Sequence, residues 1–367
     1  VIGVVVRVAP HALFRVRRRR MAATDPLSGV GAGRLRWAVN SEAWHPVGGH
    51  EGSEFQFLLG LIPEDAERAQ VLKFVFLPDK KRALISRLLC RRAAAVVLGL
   101  SSFAALEIRR TKGRKPFLLR PRPDRPELAN FNFNVSHEGD WVVLASEPLC
   151  VCGVDVAAPP SSRRGGCDVD IFRDFGDQLT ASEWDYVRRE AALNKATCAP
   201  GEDPAYEAFQ RHWSCKEAFV KARGDGLGFE LRRVAFTFVP LPPLSTEAEA
   251  REAGRYAAGA EVDGRPAPLW RFYQHRLGLD HWVTVARGPT SDVVDEAGDF
   301  RATLRRPTEA LEADAWRREL ALESPAFVEV PVAFLVPEDN LEGYTRAGGG
   351  AWARAPDADA EGGRAMA

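Results

Sequence analysis

Between Phe209 and Ala222 the chain carries Trp213, Glu217 and Lys221 at intervals of four residues. A helix there stacks all three in one row, each about one turn from the next. Trp213, Ala218, Phe219, Val220 and Ala222 give that helix a broad buried side, and Gly224, Gly226 and Gly228 stop it. Spacing alone leaves two readings open: a solvated i,i+4 ion pair over an aromatic packing anchor, or a functional row. The second gains from Val151-Cys-Gly153-Val154-Asp155-Val156, roughly 60 residues upstream. Aspartate is disfavoured inside a strand unless a polar or charged partner offsets its desolvation. If Asp155 faces Glu217, two carboxylates meet, which favours a hard cation such as Mg²⁺ that also holds substrate phosphates. Lys221 then reaches the same phosphates.

Composition narrows the class. With 367 residues, 46% hydrophobic and 27% charged, the chain makes one large domain or two moderate ones. Its formal charge of zero gives no global attraction to nucleic acid or an anionic membrane. Cys90, Cys150, Cys152, Cys167, Cys198 and Cys215 are scattered as in a reduced intracellular protein, and Cys150-Val-Cys152 reads as a pair of core thiols. Val1 to Ala9 is apolar but too short to span a bilayer. The following Arg17-Arg-Arg-Arg20 reads as a targeting or nucleic-acid arm or, the preferred reading, as sequence upstream of a true start at Met21. No Gly-x-Ser-x-Gly elbow and no nucleoside-triphosphate phosphate loop is present.

In chain order, Arg36 to Asn40 reads as a strand, Pro63-Glu-Asp-Ala66 opens a helix, and a second helix runs from near Pro78 to about Val97. Its Leu84, Ile85, Leu88 and Leu89 face a core, and Lys80, Lys81, Arg82, Arg87, Arg91 and Arg92 read as a solvated face. Phe103 to Arg109 is strand-like, Gly113 to Pro116 a turn, and Trp141 to Ala145 a buried strand. Ser136 and His137 are neighbours on a strand and point to opposite faces, so they suit phosphate hydrogen bonding better than a nucleophile–base pair. Ser161 to Gly166 reads as a join between halves, and Thr180-Ala-Ser-Glu183 as a capping box. Leu227 to Phe238 reads as a strand, Pro240 to Gly259 as an insertion, and Leu269 to Tyr273 and His281 to Ala286 as strands. The last echoes His137 to Ala145, which suggests a duplication. Phe327 to Leu335 reads as an added strand and Ala347 to Ala367 as a disordered tail.

Gly153-Val-Asp155 followed by Trp213-Ser-Cys-Lys216-Glu217-Ala-Phe-Val-Lys221-Ala222 resembles the paired motifs of the 4'-phosphopantetheinyl transferases. Gly113-Arg-Lys115-Pro116 resembles the family's Gly-Lys-Pro turn with Arg114 interrupting it, Asn134-Val-Ser136-His137 its Asn-x-Ser-His segment, and Gly226-Leu-Gly228-Phe229 the turn after its central helix. Five stretches in the family's order are specific, and the match, from about Arg34 to Ala286, is nearest the large two-subdomain (surfactin-synthetase-activating) type and its eukaryotic group. The resemblance implies an α+β (α/β) fold of two similar subdomains related by pseudo-twofold symmetry, with coenzyme A between them. It divides the chain into an extension over 1–33, taken as disordered, subdomains over 34–150 and 151–290, a C-terminal extension over 291–346, and a tail over 347–367. The implied activity is holo-[acyl-carrier-protein] synthesis: 4'-phosphopantetheine moves from coenzyme A to a serine of an apo carrier protein and adenosine 3',5'-bisphosphate leaves. The roles implied are Mg²⁺ on Asp155 and Glu217, catalysis by Asp155, Glu217 and Lys221, and coenzyme A contacts by Arg68, Arg110, Lys115, Ser136, His137 and Lys221. Partners are acyl or peptidyl carrier proteins, with no nucleic acid and no membrane, and the expected state is a cytosolic monomer, or an organellar one if residues 1–20 belong to the protein. Many bacterial members carry a second acid two residues after the first; Ala157 stands there, and a water is expected to fill that place. Lys216 is expected to be peripheral or to face the carrier. The alternative is a non-catalytic module binding carrier proteins or coenzyme A.

Overall fold

The computed structural model describes residues 25–159, 170–194, 203–278, 280–308 and 311–350. The first half runs β1 (Arg36–Asn40), α1 (Ser53–Gly60), α2 (Asp65–Leu72), α3 (Leu77–Leu98), β2 (Glu107–Arg110), β3 (Pro116–Arg120), β4 (Asn132–Glu138) and β5 (Trp141–Glu147). The second runs β6 (Val151–Ala157), α4 (Ile171–Asp174), α5 (Ala181–Asn194), α6 (Pro204–Arg223), β7 (Val234–Pro240), α7 (Glu247–Ala253), β8 (Arg255–Val262), β9 (Arg265–Pro266), β10 (Arg271–Leu277) and β11 (His281–Gly288). The chain then adds α8 (Asp299–Ala302), α9 (Ala313–Ala321), β12 (Val328–Glu329) and α10 (Leu341–Arg346). The fold is mixed α/β. One sheet has the order β12-β1-β5-β4, another β6-β11-β10-β8-β7 with β9 beside β8, and β2 and β3 form a hairpin.

Each large sheet carries one long helix. In the first half α3 packs on β4 and β5. Pro78 starts it and Gly99, at φ 67°, ends it. Leu84, Ile85, Leu88 and Leu89 are fully buried as expected. The basic residues correct the expectation of a solvated face: Lys80, Lys81, Arg91 and Arg92 are also buried. Arg87 pairs with Glu67 at 2.6 Å, Arg91 with Glu64, and Arg92 with Glu338 at 2.9 Å. Acids in α2 and just before it, with Glu338 shortly before α10, let those cations leave water.

Several boundaries also move. Phe103 to Leu106 forms turns, and pairing starts at Glu107. Leu227 to Arg233 forms two tight helical turns before β7 rather than a strand. The stretch read as an insertion holds α7, whose Thr246 and Glu249 form a reciprocal capping box, and the start of β8. Only Val328 and Glu329 of the last predicted strand pair, in parallel with Trp37 and Ala38; Val332 to Leu335 turn into the first-half core. Residues 25–33 form turns that pack Leu27 and Val30 on that core. The predicted join, Ser161 to Gly166, lies outside the described residues, as do 1–24 and 351–367.

The halves meet through β4 and β6, and the contact is unusual in kind. The outer N–H groups of β6 pair with side chains of β4 instead of a backbone ladder. Cys152, Val154, Val156 and Ala158 donate to Asn132 Oδ1, Asn134 Oδ1, Ser136 Oγ and Glu138 Oε2 at 2.9, 3.0, 3.4 and 3.0 Å. Alternate residues of a strand share one face, so four polar side chains two apart can supply these rungs. They also satisfy an edge that would otherwise stay open.

The described cysteines are core thiols. Cys90, Cys150, Cys152 and Cys215 are free and buried, and burial pushes Cys90 up to about 11 and Cys152 and Cys215 up to about 12. Thiolate is the reactive form. These four should therefore stay unlabelled by a thiol-reactive disulfide reagent at pH 7.5 until denaturant is added, as peptide mapping would show. No described helix is long and apolar enough to cross a membrane.

Candidate active site

The central helix α6 is set by its own ends. Asp203 accepts the N–H groups of Ala205 and Tyr206 at 2.9 and 3.3 Å, Pro204 takes the first turn, and Gly224 ends the helix at φ 93°. It lies directly on β6, and Gly153 permits this. A Cβ on Gly153 would stand 2.0 Å from the Ala218 carbonyl oxygen and 2.5 Å from the Ala222 nitrogen. The glycine two residues before Asp155 thus has a packing reason, and the close approach puts Asp155 under the last turns of the helix.

There Asp155, buried to 5% exposure, accepts from Lys221 Nζ and from Ser136 Oγ, the latter at 2.9 Å. Lys221 also donates to Ser136 Oγ at 2.9 Å. Burial raises the Asp155 carboxyl above the usual carboxylate range against the pull of Lys221. Burial raises Glu217 as well, and the Asp155 charge adds to it. Burial works against the Lys221 ammonium, but Asp155 and Glu217 outweigh it and hold the amine protonated. The strand acid and the helix base are thus in contact, and Glu217 lies near enough to feel the charge of both.

Glu138 is a further acid that the sequence reading missed. Its charge adds to the upward shifts of Glu217 and Lys221. The available signal was alternation: two residues from Ser136 on one strand, it shares Ser136's face. Asp155, Glu217, Glu138 and Lys221 thus share one electrostatic neighbourhood, rich in carboxylate oxygen and with a net negative balance. It suits a hard divalent cation.

Beside this cluster opens a cavity of about 900 Å³. Arg110, Lys112, Arg114 and Lys115 of the β2–β3 hairpin line one side, Glu217 and Lys221 line it from α6, and Asn134 lines it from β4. Trp213 contributes an apolar wall and packs on Phe175 and Phe209, as its anchor role requires. Arg110 is steered by Glu67 at 3.3 Å. Arg68 does not line the cavity: it donates to the Pro63 carbonyl at 3.0 Å and pairs with Asp65. His137 is exposed on the other face of β4 from Ser136.

Two further clusters bear on the assignment. Lys216 is not peripheral. It is fully buried, pairs with Glu183 at 2.8 Å and donates to the Leu231 carbonyl at 2.9 Å. Glu183 is also the capping-box acid of α5, which packs against α6. Glu147, Cys150 and Glu319 offer ligand atoms within 4.8 Å of one another. Their carboxylates, however, are held by Arg34, Arg36 and Arg287, with Arg287 Nε 3.2 Å from Glu147 and its Nη2 3.5 Å from Glu319. Three guanidinium groups already neutralise the acids, so this is a buried ion network rather than a cation site.

Two family models match the chain, one described as 4'-phosphopantetheinyl transferase, N-terminal, over residues 42–149, the other as 4'-phosphopantetheinyl transferase superfamily, over residues 151–267. A phosphopantetheinyl transferase of Thraustochytrium sp. is 32% identical over 287 residues, 78% of this chain and 85% of the relative. The L-aminoadipate-semialdehyde dehydrogenase-phosphopantetheinyl transferase of Rattus norvegicus is 33% identical over 261 residues, 69% and 74% of the two chains. Its namesake in Xenopus laevis is 35% identical over 258 residues, 70% and 76%.

Proposed function

The chain belongs to the 4'-phosphopantetheinyl transferase superfamily, and we propose that it transfers 4'-phosphopantetheine from coenzyme A to a serine of apo acyl or peptidyl carrier proteins. Adenosine 3',5'-bisphosphate is the other product. The relatives of Rattus and Xenopus favour the branch named for L-aminoadipate-semialdehyde dehydrogenase. We read the halves as similar subdomains related by pseudo-twofold symmetry, since α3 lies on β4 and β5 as α6 lies on β6 and β11. The observation that carries the reading is the Asp155–Lys221 ion pair, with Glu217 one turn from Lys221, beside a cavity that Arg110, Lys112 and Arg114 also line.

Asp155 and Glu217, with Glu138 beside them, would hold a Mg²⁺ ion. Bound there, Mg²⁺ supplies positive charge to the phosphate oxygens. The chain's own groups do the rest. Arg110, Ser136 and His137, with Arg68 further out, are the proposed contacts for coenzyme A, and Lys115 belongs to the hairpin that walls its cavity. Glu217 takes the serine proton, directly or through one water, and its raised basicity suits that task. The serine oxygen attacks the phosphorus of the phosphopantetheine, and the bond from that phosphorus to the bisphosphate oxygen breaks. The protonated Lys221 stabilises the oxygens that gain charge. Four buried free thiols suit a reducing compartment, which we take to be the cytosol, with the enzyme acting as a monomer.

Intact-mass analysis tests this. An apo carrier protein incubated with the protein, coenzyme A and Mg²⁺ should gain one phosphopantetheine arm, and chelator or Glu217→Ala should abolish the gain. No gain on fatty-acid, aminoadipate-reductase or peptide-synthetase carriers would leave a binding module instead.

A further inference from the structure

Lys115 lines the cavity, yet its amine does not point there to wait for a phosphate. The residue is 3% exposed, and Nζ donates to two backbone carbonyls, that of Cys152 on β6 and that of Lys221 on α6, the latter at 3.2 Å. Among the described residues no carboxylate lies within ion-pair distance of it, and the Phe300 ring lies 5.4 Å away. The Lys221 carbonyl is one of the last four of α6, which lack partners within the helix. A cation there is favoured by the helix dipole. The Cys152 carbonyl belongs to the residue whose N–H is held by Asn132. The turn that delivers Lys115 is pressed against the end of α6: a Cβ on Gly113 would stand 2.1 Å from the Gly224 carbonyl oxygen. Burial lowers the amine to about 8, as befits a cation held only by neutral dipoles.

The two carbonyls belong to the two elements that carry Asp155 and Lys221. We propose that Lys115 is a positioning residue: its buried ammonium, from the first half of the chain, clamps the last turn of α6 to β6 and so fixes Lys221 against Asp155. Resting on the proposed transfer, this assigns the side chain a role other than gripping a coenzyme A phosphate. The hairpin still forms the cavity wall, through Arg110 and its backbone.

The test pairs Lys115→Met, which keeps length and loses charge, with Lys115→Arg. Transfer gives kcat and KM for coenzyme A, calorimetry gives coenzyme A affinity, and hydrogen exchange reports Val220 to Gly224. Lys115→Met should lower kcat about 10²-fold, as a misplacement near 1 Å does. Coenzyme A affinity and KM should stay within about threefold, exchange over the last turn of α6 should speed up, and Lys115→Arg should restore part of kcat. A tenfold loss of coenzyme A affinity with kcat intact at saturation would overturn the proposal in favour of a phosphate ligand. Unchanged kcat, affinity and exchange would overturn it too. If Lys115→Met does not fold, the arginine variant decides by the same split between kcat and affinity. If the native protein transfers nothing, the functional reading falls, and exchange over Val220 to Gly224 still decides the clamp.

Discussion

Asp155→Asn is expected to reduce transfer on the order of 10³-fold, the loss typical of removing a group that stabilises transition-state charge. Asparagine keeps the shape and an oxygen to accept from Ser136 and Lys221, so the fold should persist and the effect should fall on kcat. Steady-state transfer by mass spectrometry, beside thermal melting, separates the two. Activity within tenfold of the native protein would remove Asp155 from the mechanism. Melting supplies a companion measurement. Burial and the Asp155 charge both raise Glu217, so its ionised form costs the folded state stability wherever it carries charge. In chelator at pH 7, Glu217→Gln should therefore melt at or above the native temperature while losing activity. A site stable in its own right would give the opposite.

The second large effect concerns the ion network. Glu147→Ala should destabilise the protein by about 3–5 kcal/mol, the cost of leaving buried charges uncompensated. Glu147, Arg36 and Arg287 are all fully buried, and Arg34 is largely so. That loss is a large share of the roughly 5–15 kcal/mol a domain possesses. Burial alone would raise Glu147, but Arg287, Arg36 and Arg34 together hold it below the usual carboxylate range. A depressed carboxylate contributes stability above its unfolded value and loses it as pH falls through the folded one. The gap between native protein and variant in urea unfolding should therefore be wide at pH 7 and narrow in acid. A loss below about 1 kcal/mol at pH 7 would show that the network is replaceable.

Legibility in the sequence followed the range of the interactions. That Glu217 and Lys221 share one helix row was readable because a helix repeat is local, and that Asp155 has a charged partner because an acid in a strand needs a reason. Gly153 fits the same logic once the helix is known to cross there. The basic face of α3 was misread because its partners come from elsewhere in sequence, Glu338 lying 246 residues from Arg92. Lys216 was misread likewise: rotation along a helix tells which way a side chain points, not what stands opposite. The rungs from β4 to β6 follow an alternation plainly visible in Asn132, Asn134, Ser136 and Glu138. Their use could not be read without knowing that an open strand edge lay alongside.

The pairing of β12 with β1 has a consequence for how the protein is made. Trp37 finds its parallel partner in Val328, and the core of the first half takes in Phe334 and Leu335. Within that sheet β1 precedes its outer partner β12 by the whole second half of the fold. The first half must therefore wait, its outer strand unpaired, until the second half has been translated. So long a separation between partners slows folding and prolongs exposure of an aggregation-prone edge. Truncation just before Phe327 would freeze the chain in that waiting state, so yield of soluble protein should depend steeply on a segment far from the chemistry.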